Sequence, residues 1–242
     1  MTNQIKFIAR DPYGWQVYPK PFPASMALPD WWRNETPYKI EANNPTGKKL
    51  IVENLASNTT FKKCTPMLDV LTAGYIISLY TDIQVRWTNN GPLITWRVQS
   101  SNVFTPHGPE AKVPRLEHPT GYSEYVFKYN NTWIPKTPKG YSVLVTAPFG
   151  YRQLPFYAIP AIIDSDKSNL ELVPPMWVKE GFEGIVEKGT PMFQVIPFKR
   201  ENWTMDCSSY EENEYNLLTE RGFNSTIVNN YIKNVWSKKS FK

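Results

Sequence analysis

This 242-residue chain contains two aspartates, Asp164 and Asp166, whose spacing would allow them to act together at one site. They flank Ser165 and end an apolar predicted strand. Because side chains at positions i and i+2 of a strand point to the same side, both carboxylates would project together. Such a pair can bind a cation or orient a catalytic water. The alternative is a hairpin turn, since Asp166-Lys-Ser-Asn169 has the composition of one, and the sequence favours the turn.

The other reactive side chains form no complete site in the sequence. Cys64 precedes a predicted helix, where a thiol can be activated, but no histidine is marked as its base, so a buried structural cysteine is favoured. His107 and His118 are the two histidines, and no pair of Cys or His residues has the spacing of a zinc site. The sequence also has no glycine-rich phosphate motif. We therefore expect no metal site and no cofactor.

The charge of the chain indicates which partners are unsuited to it. The formal net charge is +5, but five basic and no acidic residues follow Glu220, so residues 1–220 are formally neutral. We expect no nucleic-acid partner, except weakly through this basic tail. No apolar run approaches the length of about 18 residues that a membrane span needs, so we expect no membrane partner. A polar N-terminus and two widely separated cysteines suit a reducing cytosol.

Residues 61–200 have the pattern of a β domain. Short segments rich in β-branched and aromatic residues alternate with Gly, Pro and Asn turns, and Asn89-Asn90-Gly91 is a strong hairpin signal. A further tight turn is predicted at Thr137–Gly140. The pattern predicts a mainly-β fold with a compact sandwich or barrel-like core. The predicted strands are Tyr75–Trp87 (broken near Asp82), Leu93–Gln99, Tyr125–Tyr129, Tyr141–Thr146, Phe156–Asp164, Leu170–Val173, Phe182–Val186 and Met192–Phe198.

The two ends differ from this core. Residues 1–60 read as an irregular, proline-rich arm that carries Phe22, Trp31 and Trp32; it either wraps its own core, the favoured interpretation, or docks a partner. Residues 201–242 read as a helical appendage. A capping box at 209–212 starts one helix, and an apolar column that includes Tyr231 and Val235 follows in a second. That apolar face packs either on the same chain or on a neighbouring subunit.

Three core motifs follow one another in a recognisable order, namely Pro138–Tyr141, Ile162–Asp166 and Glu187–Ile196. In that order they resemble the trimeric dUTP pyrophosphatase family and its β-clip relatives. In that family a Pro-x-Gly-Tyr strand precedes a Gly-Val-Ile-Asp-x-Asp-Tyr hairpin, and a Lys-Gly-Asp-Arg-Ile-Ala-Gln-Leu-Ile strand closes the core. Ala73-Gly74-Tyr75 is similar to the first motif of the family, Ala-Gly-Tyr-Asp. The resemblance covers a minor part of the chain and implies a β-clip-like core.

The resemblance implies a catalytic candidate at one position only, where Asp164 matches the water-activating aspartate of the family. Ile76 stands where the family has its metal-associated aspartate, and Lys167 stands where it has the tyrosine that stacks on uracil. Ala147–Arg152 replaces the Arg-Ser-Gly phosphate motif. A lone carboxylate does not supply the electrostatic stabilisation that phosphoryl chemistry needs. The sequence therefore predicts the fold of that family without its activity.

The whole chain also resembles an uncharacterised protein family that is common in the genomes of marine tailed bacteriophages. The residues that carry this second resemblance are Leu28–Trp32, Cys64–Tyr75 and Gly189–Trp203. It implies a viral or virus-derived origin and supplies no activity. It also implies a location in the host cytoplasm, with association with the virion left open.

These observations favour a non-catalytic β protein with a binding or assembly role. We expect self-association, and other phage or host proteins are alternative partners. A second hypothesis is a nucleotide-binding or nucleotide-hydrolysing protein in which Asp164 positions a water. Its candidate ligand-binding residues are Asp164, Asp166, Lys167 and Tyr75. A third hypothesis is glycan recognition through Trp87, Trp96 and Trp133, which core packing explains equally well.

Overall fold

The computed structural model of the chain describes residues 3–38, 59–97, 103–106, 116–168, 171–207, 211–217 and 231–242. Strands dominate these residues, which confirms the mainly-β class that the sequence predicts. In chain order the strands are β1 (Lys6–Ala9), β2 (Phe22–Pro23), β3 (Tyr75–Ser78), β4 (Ile83–Thr88), β5 (Gly91–Trp96), β6 (Phe104–Pro106), β7 (Tyr122–Tyr129), β8 (Trp133–Lys136), β9 (Tyr141–Thr146), β10 (Phe156–Ala158), β11 (Ala161–Ile163), β12 (Pro175–Lys179), β13 (Gly184–Val186) and β14 (Pro191–Lys199).

Helices are short by comparison. The α-helices are α1 (Pro12–Val17), α2 (Asp30–Asn34) and α3 (Thr65–Thr72), and residues 212–217 are helical as well. Two 3-10 turns lie at Ala24–Ala27 and Phe61–Lys63, and a π-helical turn lies at Tyr231–Val235. None of the helices in the described ranges has both the length and the apolar character that crossing a membrane requires.

The chain divides into two compact units. The first consists of residues 1–27, 72–200 and 241–242, and it holds all the strands given above. Among its described residues these strands form four sheets, in which every pairing is antiparallel. The strand orders are β1-β8, β10-β12-β7-β6, β11-β9-β14-β3-β2 and β13-β4-β5.

One large apolar cluster fills the first unit. Side chains from all four sheets meet in it, because alternate residues of each strand point to the same side. Tyr129 lies fully buried in this cluster, and its hydroxyl donates a hydrogen bond of 3.0 Å to the backbone oxygen of Ser78. Burial of so many apolar side chains supplies the main driving force for folding this unit. Its fully buried members include Leu79, Val85, Val103, Val143, Val145, Ala158, Met176, Val178, Phe193 and Val195.

The second unit consists of residues 28–71 and 201–240. Trp32 of α2 is buried there, its ring lies edge-on to Trp31 at 5.7 Å, and the Lys62 ammonium donates to its backbone oxygen at 2.5 Å. On α3, the Asp69 carboxylate accepts hydrogen bonds from the Trp236 indole at 2.9 Å and from the Lys239 ammonium at 2.7 Å. These contacts anchor the segment that follows the π-helical turn.

Part of the predicted C-terminal helices lies outside the described residues, including the capping-box Ser209 and the apolar Ile227 and Val228. Within the described residues, the predicted column continues as the π-helical turn Tyr231–Val235, where Ile232 and Val235 are exposed.

The hairpin predicted at Asn89-Asn90-Gly91 is confirmed. Strands β4 and β5 pair along their full length, with Thr88 opposite Gly91 across a two-residue loop. Gly91 has a φ of 104°, and the ring of Tyr125 lies so close that a Cβ atom there would approach it to 2.3 Å. Glycine is therefore required at this position by both the turn and the packing.

Elsewhere in the core, consecutive strands belong to different sheets. The turn at Thr137–Gly140 exists, but β8 pairs with β1 whereas β9 pairs with β11 and β14. The predicted strand Phe156–Asp164 is divided by Ile159-Pro160 into β10 and β11, which belong to different sheets. Proline lacks the N–H that would continue a ladder, so the chain turns a corner at this point.

The strand predicted at Leu170–Val173 is wrong in its described part, because residues 171–173 do not form a β-strand. The strand in this region is β12, which starts at Pro175 after the dipeptide Pro174-Pro175. Proline is tolerated at the first position of a strand, where no ladder donor is required.

Gly74 provides a test of this close packing. Its φ is 68°, and a Cβ atom there would lie 2.1 Å from the backbone oxygen of Val195 on β14. Gly181 has a nearly equal φ of 65°, with nothing within 4 Å of the same position. Gly181→Ala therefore reports the conformational cost alone, about 1 kcal/mol. We expect Gly74→Ala to lower the free energy of unfolding by about 1–3 kcal/mol more than that.

Urea denaturation of the two variants and the parent chain measures this difference. Both glycines belong to the same unit, so they are compared within one unfolding transition. Equal losses in the two variants would contradict the close approach of Gly74 to β14.

Candidate functional site

The turn after β11 positions the predicted acid pair. Strand β11 ends at Ile163, opposite Val143 of β9. The backbone N–H groups of Lys167 and Ser168 then donate to the backbone carbonyl oxygen of Asp164, at 3.0 and 2.8 Å. The segment is thus a hydrogen-bonded turn, the alternative that the sequence favours. Ser165 is buried in it and lies 2.7 Å from the Thr137 hydroxyl.

Arg200 joins the two carboxylates, a contact that the sequence did not indicate. It follows β14 directly, and its guanidinium binds Asp166 with both terminal nitrogens, at 2.8 and 2.5 Å. The second Asp166 oxygen also accepts the Gly140 N–H at 2.8 Å. The Asp166 side chain is only 4% exposed. This bidentate geometry makes Arg200 the principal partner of Asp166.

Asp164 lies at the outer side of the same cluster. Its carboxylate accepts the Ser142 hydroxyl at 2.7 Å and lies 3.1 Å from the Arg200 guanidinium. The Lys167 ammonium is 3.9 Å away on a well-exposed side chain. The Asp164 side chain is 49% exposed, so its ion pairs are weakened by solvent. We call Asp164, Asp166 and Arg200, with the Ser142 hydroxyl, the acid–arginine cluster.

The contacts within this cluster favour the charged forms of Asp164, Asp166 and Arg200. Hydrogen bonding to Arg200 holds the pKa of Asp166 well below its ordinary value. The Ser142 hydroxyl is the main cause that lowers the pKa of Asp164, and Arg200 adds to it. In return, the bond to Asp166 raises the pKa of Arg200. A general base works best with a pKa near the operating pH, so carboxylates shifted in this direction suit an ion pair better than proton transfer.

Tyr75 and Lys167 are not brought together around Asp164. Tyr75 packs edge-on against Phe7 at 5.3 Å and Phe241 at 6.1 Å, and burial raises the pKa of its hydroxyl. The strand order and registers place it three strands and three residues from Asp164, which is roughly 17 Å. Only Asp164, Asp166 and Lys167 of the four ligand-binding candidates are therefore neighbours.

The remaining reactive residues form no cluster that the structure describes. No group of three or more His, Cys, Asp or Glu side chains in the described ranges is arranged to hold a metal ion. His118 is exposed, and His107 lies outside the described residues. Cys64 is exposed, so the interpretation as a buried structural cysteine is wrong. Cys64 connects the 3-10 turn Phe61–Lys63 to α3, and its side chain lies on the surface there.

The three tryptophans of the glycan hypothesis have different surroundings. Trp133 is buried and donates its indole N–H to the Pro19 oxygen at 2.9 Å, and Trp87 donates to Phe182 at 3.1 Å. Trp96 lines a cleft that has a volume of about 280 Å³. We call it the aromatic cleft. Its lining residues are Asn90, Pro92, Leu93, Ile94, Trp96, Phe104, Pro106, Tyr125 and Phe127.

A second feature that the sequence did not indicate is an exposed segment at residues 201–207, directly after Arg200. Every residue in it is exposed, and none belongs to a helix or strand. Trp203 is 85% exposed and Met205 is 88% exposed. We call residues 201–207 the Trp203 segment. The only signal in the sequence was two large apolar residues alternating with polar ones, which equally suits a half-buried strand.

Comparisons with models of known protein families, with curated proteins and with solved structures found no match to this chain.

The acid–arginine cluster predicts how the stability of the protein depends on pH. A carboxylate whose pKa is lowered on folding contributes stability that is complete above the unfolded pKa, about 4 for aspartate. That stability is lost as the pH falls from about 4 through the lower folded value. We therefore expect Asp166→Asn to lower the free energy of unfolding at pH 7 and to make its decline below pH 4 shallower.

Asp164→Asn is the matched control, because it changes the same turn at a half-exposed position. We expect it to have a clearly smaller effect than Asp166→Asn, both at pH 7 and in the slope below pH 4. Urea unfolding of both variants and the parent chain at a series of pH values measures this. An acid-range slope in Asp166→Asn as steep as that of the parent chain would disprove the assigned pairing.

Proposed function

We propose that the chain is a non-catalytic, phage-type β protein with a binding or assembly role, and that it associates with copies of itself. The observation that carries the proposal is the Trp203 segment, in which Trp203 and Met205 are almost fully exposed. Large apolar side chains presented together in this way typically mark an interaction site. Tryptophan is also among the residues that most often dominate the binding energy of protein interfaces.

The acid–arginine cluster supports the non-catalytic part of the proposal. Asp164 and Asp166 were the acids best placed in the sequence for catalysis, and both carboxylates contact Arg200. An arginine held in this way orders a turn and neutralises the charge of the acids. Cation binding or activation of water at Asp166 would have to displace Arg200 first, because the Asp166 side chain is buried against that guanidinium.

The phage-type part of the proposal rests on the sequence resemblance alone. Under this proposal the protein acts in the cytoplasm of an infected host cell and binds its own copies, other phage proteins or host proteins. Association with the virus particle belongs to the same proposal. Its basic tail adds at most a weak attraction for nucleic acid, which salt would screen.

Size-exclusion chromatography with light scattering tests self-association directly. We expect a mass above 28.0 kDa that rises with protein concentration, and a return toward 28.0 kDa in Trp203→Ala. Phe61→Ala is the matched control, since it removes an aromatic side chain that is 69% exposed and belongs to the same unit. A reductant is required throughout, because Cys64 and Cys207 are exposed.

A strict monomer at the highest attainable concentration would argue against self-association. Equal effects of Trp203→Ala and Phe61→Ala would argue against the Trp203 segment as the binding site.

Nucleotide binding through Asp164 is the alternative, and thermal denaturation tests it. A ligand that binds only the native state raises the melting temperature, by an amount that grows with its concentration. We expect no shift with a panel of nucleoside mono-, di- and triphosphates in the presence of Mg²⁺. A shift that Asp164→Asn abolishes would favour the alternative over the non-catalytic proposal.

A further inference from the structure

The aromatic cleft lies between two sheets of the first unit. Alternation along β5 puts Pro92, Ile94 and Trp96 on one face of the three-stranded sheet. Alternation along β7 puts Tyr125 and Phe127 on one face of the four-stranded sheet, which also contains β6. All of these side chains line the cleft. It is therefore a slot between two apolar faces that the chain's own described side chains leave unfilled.

The lining determines what kind of group the cleft can take. Among the residues that the structure describes, no Asp, Glu, Lys, Arg or His lines it, and four of the nine lining residues given above are aromatic. A buried phosphate or carboxylate would find no counter-charge there, so a charged small molecule is disfavoured. An apolar cavity of about 150 Å³ already accepts benzene, and the larger volume of this cleft accommodates an indole ring.

The rim of the cleft is polar in a way that suits an indole. Asn90 contributes an exposed side-chain amide at one end of the lining. A buried tryptophan usually needs a hydrogen-bond acceptor for its N–H group, and an amide oxygen supplies one. The chemistry of the cleft thus combines ring faces on both sides with an acceptor at the edge.

The Trp203 segment has the complementary properties. Trp203 is a large aromatic side chain with almost no contact to its own chain. The segment contains the acidic residues Glu201 and Asp206 and no basic residue. Among the described residues on or next to the strands of the cleft and β4, by contrast, the basic Arg86, Arg97 and Lys128 outnumber the acidic Asp82 and Glu124. Opposite charges on two surfaces favour their encounter.

We propose that Trp203 of one copy inserts into the aromatic cleft of a second copy. This inference rests on the proposed self-association and specifies its interface. Because the segment and the cleft are different surfaces, the contact is heterologous and joins the copies head to tail. A pair joined in this way still has one unoccupied cleft and one unused segment. Further copies can therefore add to it and form a ring or an open chain.

Two variants isolate the two halves of this interface. Trp203→Ala removes the inserted ring and leaves the cleft intact. Pro106→Glu places a charge at an exposed position of the cleft lining, which disfavours both an apolar ring and an acidic segment. We expect each variant alone to raise the dissociation constant of self-association by roughly thirtyfold or more, as loss of a dominant interface residue does.

Thr95→Glu is the control for the introduced charge. Thr95 is exposed on β5 and is not among the described residues that line the cleft, so the same charge is placed outside the lining. We expect Thr95→Glu to associate like the parent chain. Circular dichroism and the melting temperature establish that all three variants are folded before they are compared.

Mixing the two defective variants gives the decisive measurement. Trp203→Ala keeps a cleft and Pro106→Glu keeps a segment, so an equimolar mixture of the two is expected to form a one-to-one heterodimer. Light scattering of the mixture, with one variant carrying a mass tag, detects it. A contact between two Trp203 segments would give no such complementation, and its absence would overturn the proposed interface.

The remaining outcomes separate this inference from the proposed function. Loss of association in Trp203→Ala but not in Pro106→Glu would leave self-association standing and overturn the cleft as its site. A parent chain that stays monomeric at every concentration would overturn both. Loss in Thr95→Glu equal to that in Pro106→Glu would show a general effect of charge and overturn the assignment to the cleft.

Discussion

The bidentate ion pair between Arg200 and Asp166 is the interaction on which one edge of the five-stranded sheet depends. Arg200 directly follows β14. Its guanidinium also donates to the backbone oxygen of Tyr141 at 3.0 Å and to the Ser142 hydroxyl at 2.9 Å. It therefore links the end of β14 to the start of β9 and to the turn after β11. Because Asp166 is buried, loss of Arg200 would leave a carboxylate without its charged partner, which is the costly way to break such a pair.

The same interaction defines where the exposed part of the chain begins. The backbone of Arg200 donates to the Gly140 oxygen at 2.9 Å, and the Trp203 segment starts at the next residue. A side chain that binds a partner needs a fixed point of attachment if its ordering is not to consume much of the binding free energy. The acid–arginine cluster, which the sequence alone suggested as a candidate catalytic site, thus fixes the residue directly before the Trp203 segment.

The sequence predicted the β content and many strand positions, because alternation and turn residues are local signals. Strand β9 was predicted at its observed bounds, and the break before β4 and the hairpin at Asn89-Asn90 were found from composition alone. Sheet membership was not predictable in the same way. The turn at Thr137–Gly140 has hairpin chemistry, yet its two strands pair with partners far away in the chain, which no local pattern encodes.

The site was harder to predict for the same reason. The spacing of Asp164 and Asp166 was visible, whereas Arg200 lies 34 residues further along and reaches them only because β9 lies between β11 and β14. The aromatic cleft depends likewise on two sheets meeting. Local pattern identified the acids, and tertiary pairing determined what they contact.

The pairing of β1 with β8 has a consequence for how the polypeptide is made. Residues 6–9 leave the ribosome before their ladder partners at 133–136, which are more than one hundred codons downstream. At a synthesis rate of about 5–20 residues per second, the first strand waits on the order of ten seconds for its neighbour. During that interval its backbone donors are satisfied by water or by a chaperone, and the two-stranded sheet closes only after β8 has been synthesised.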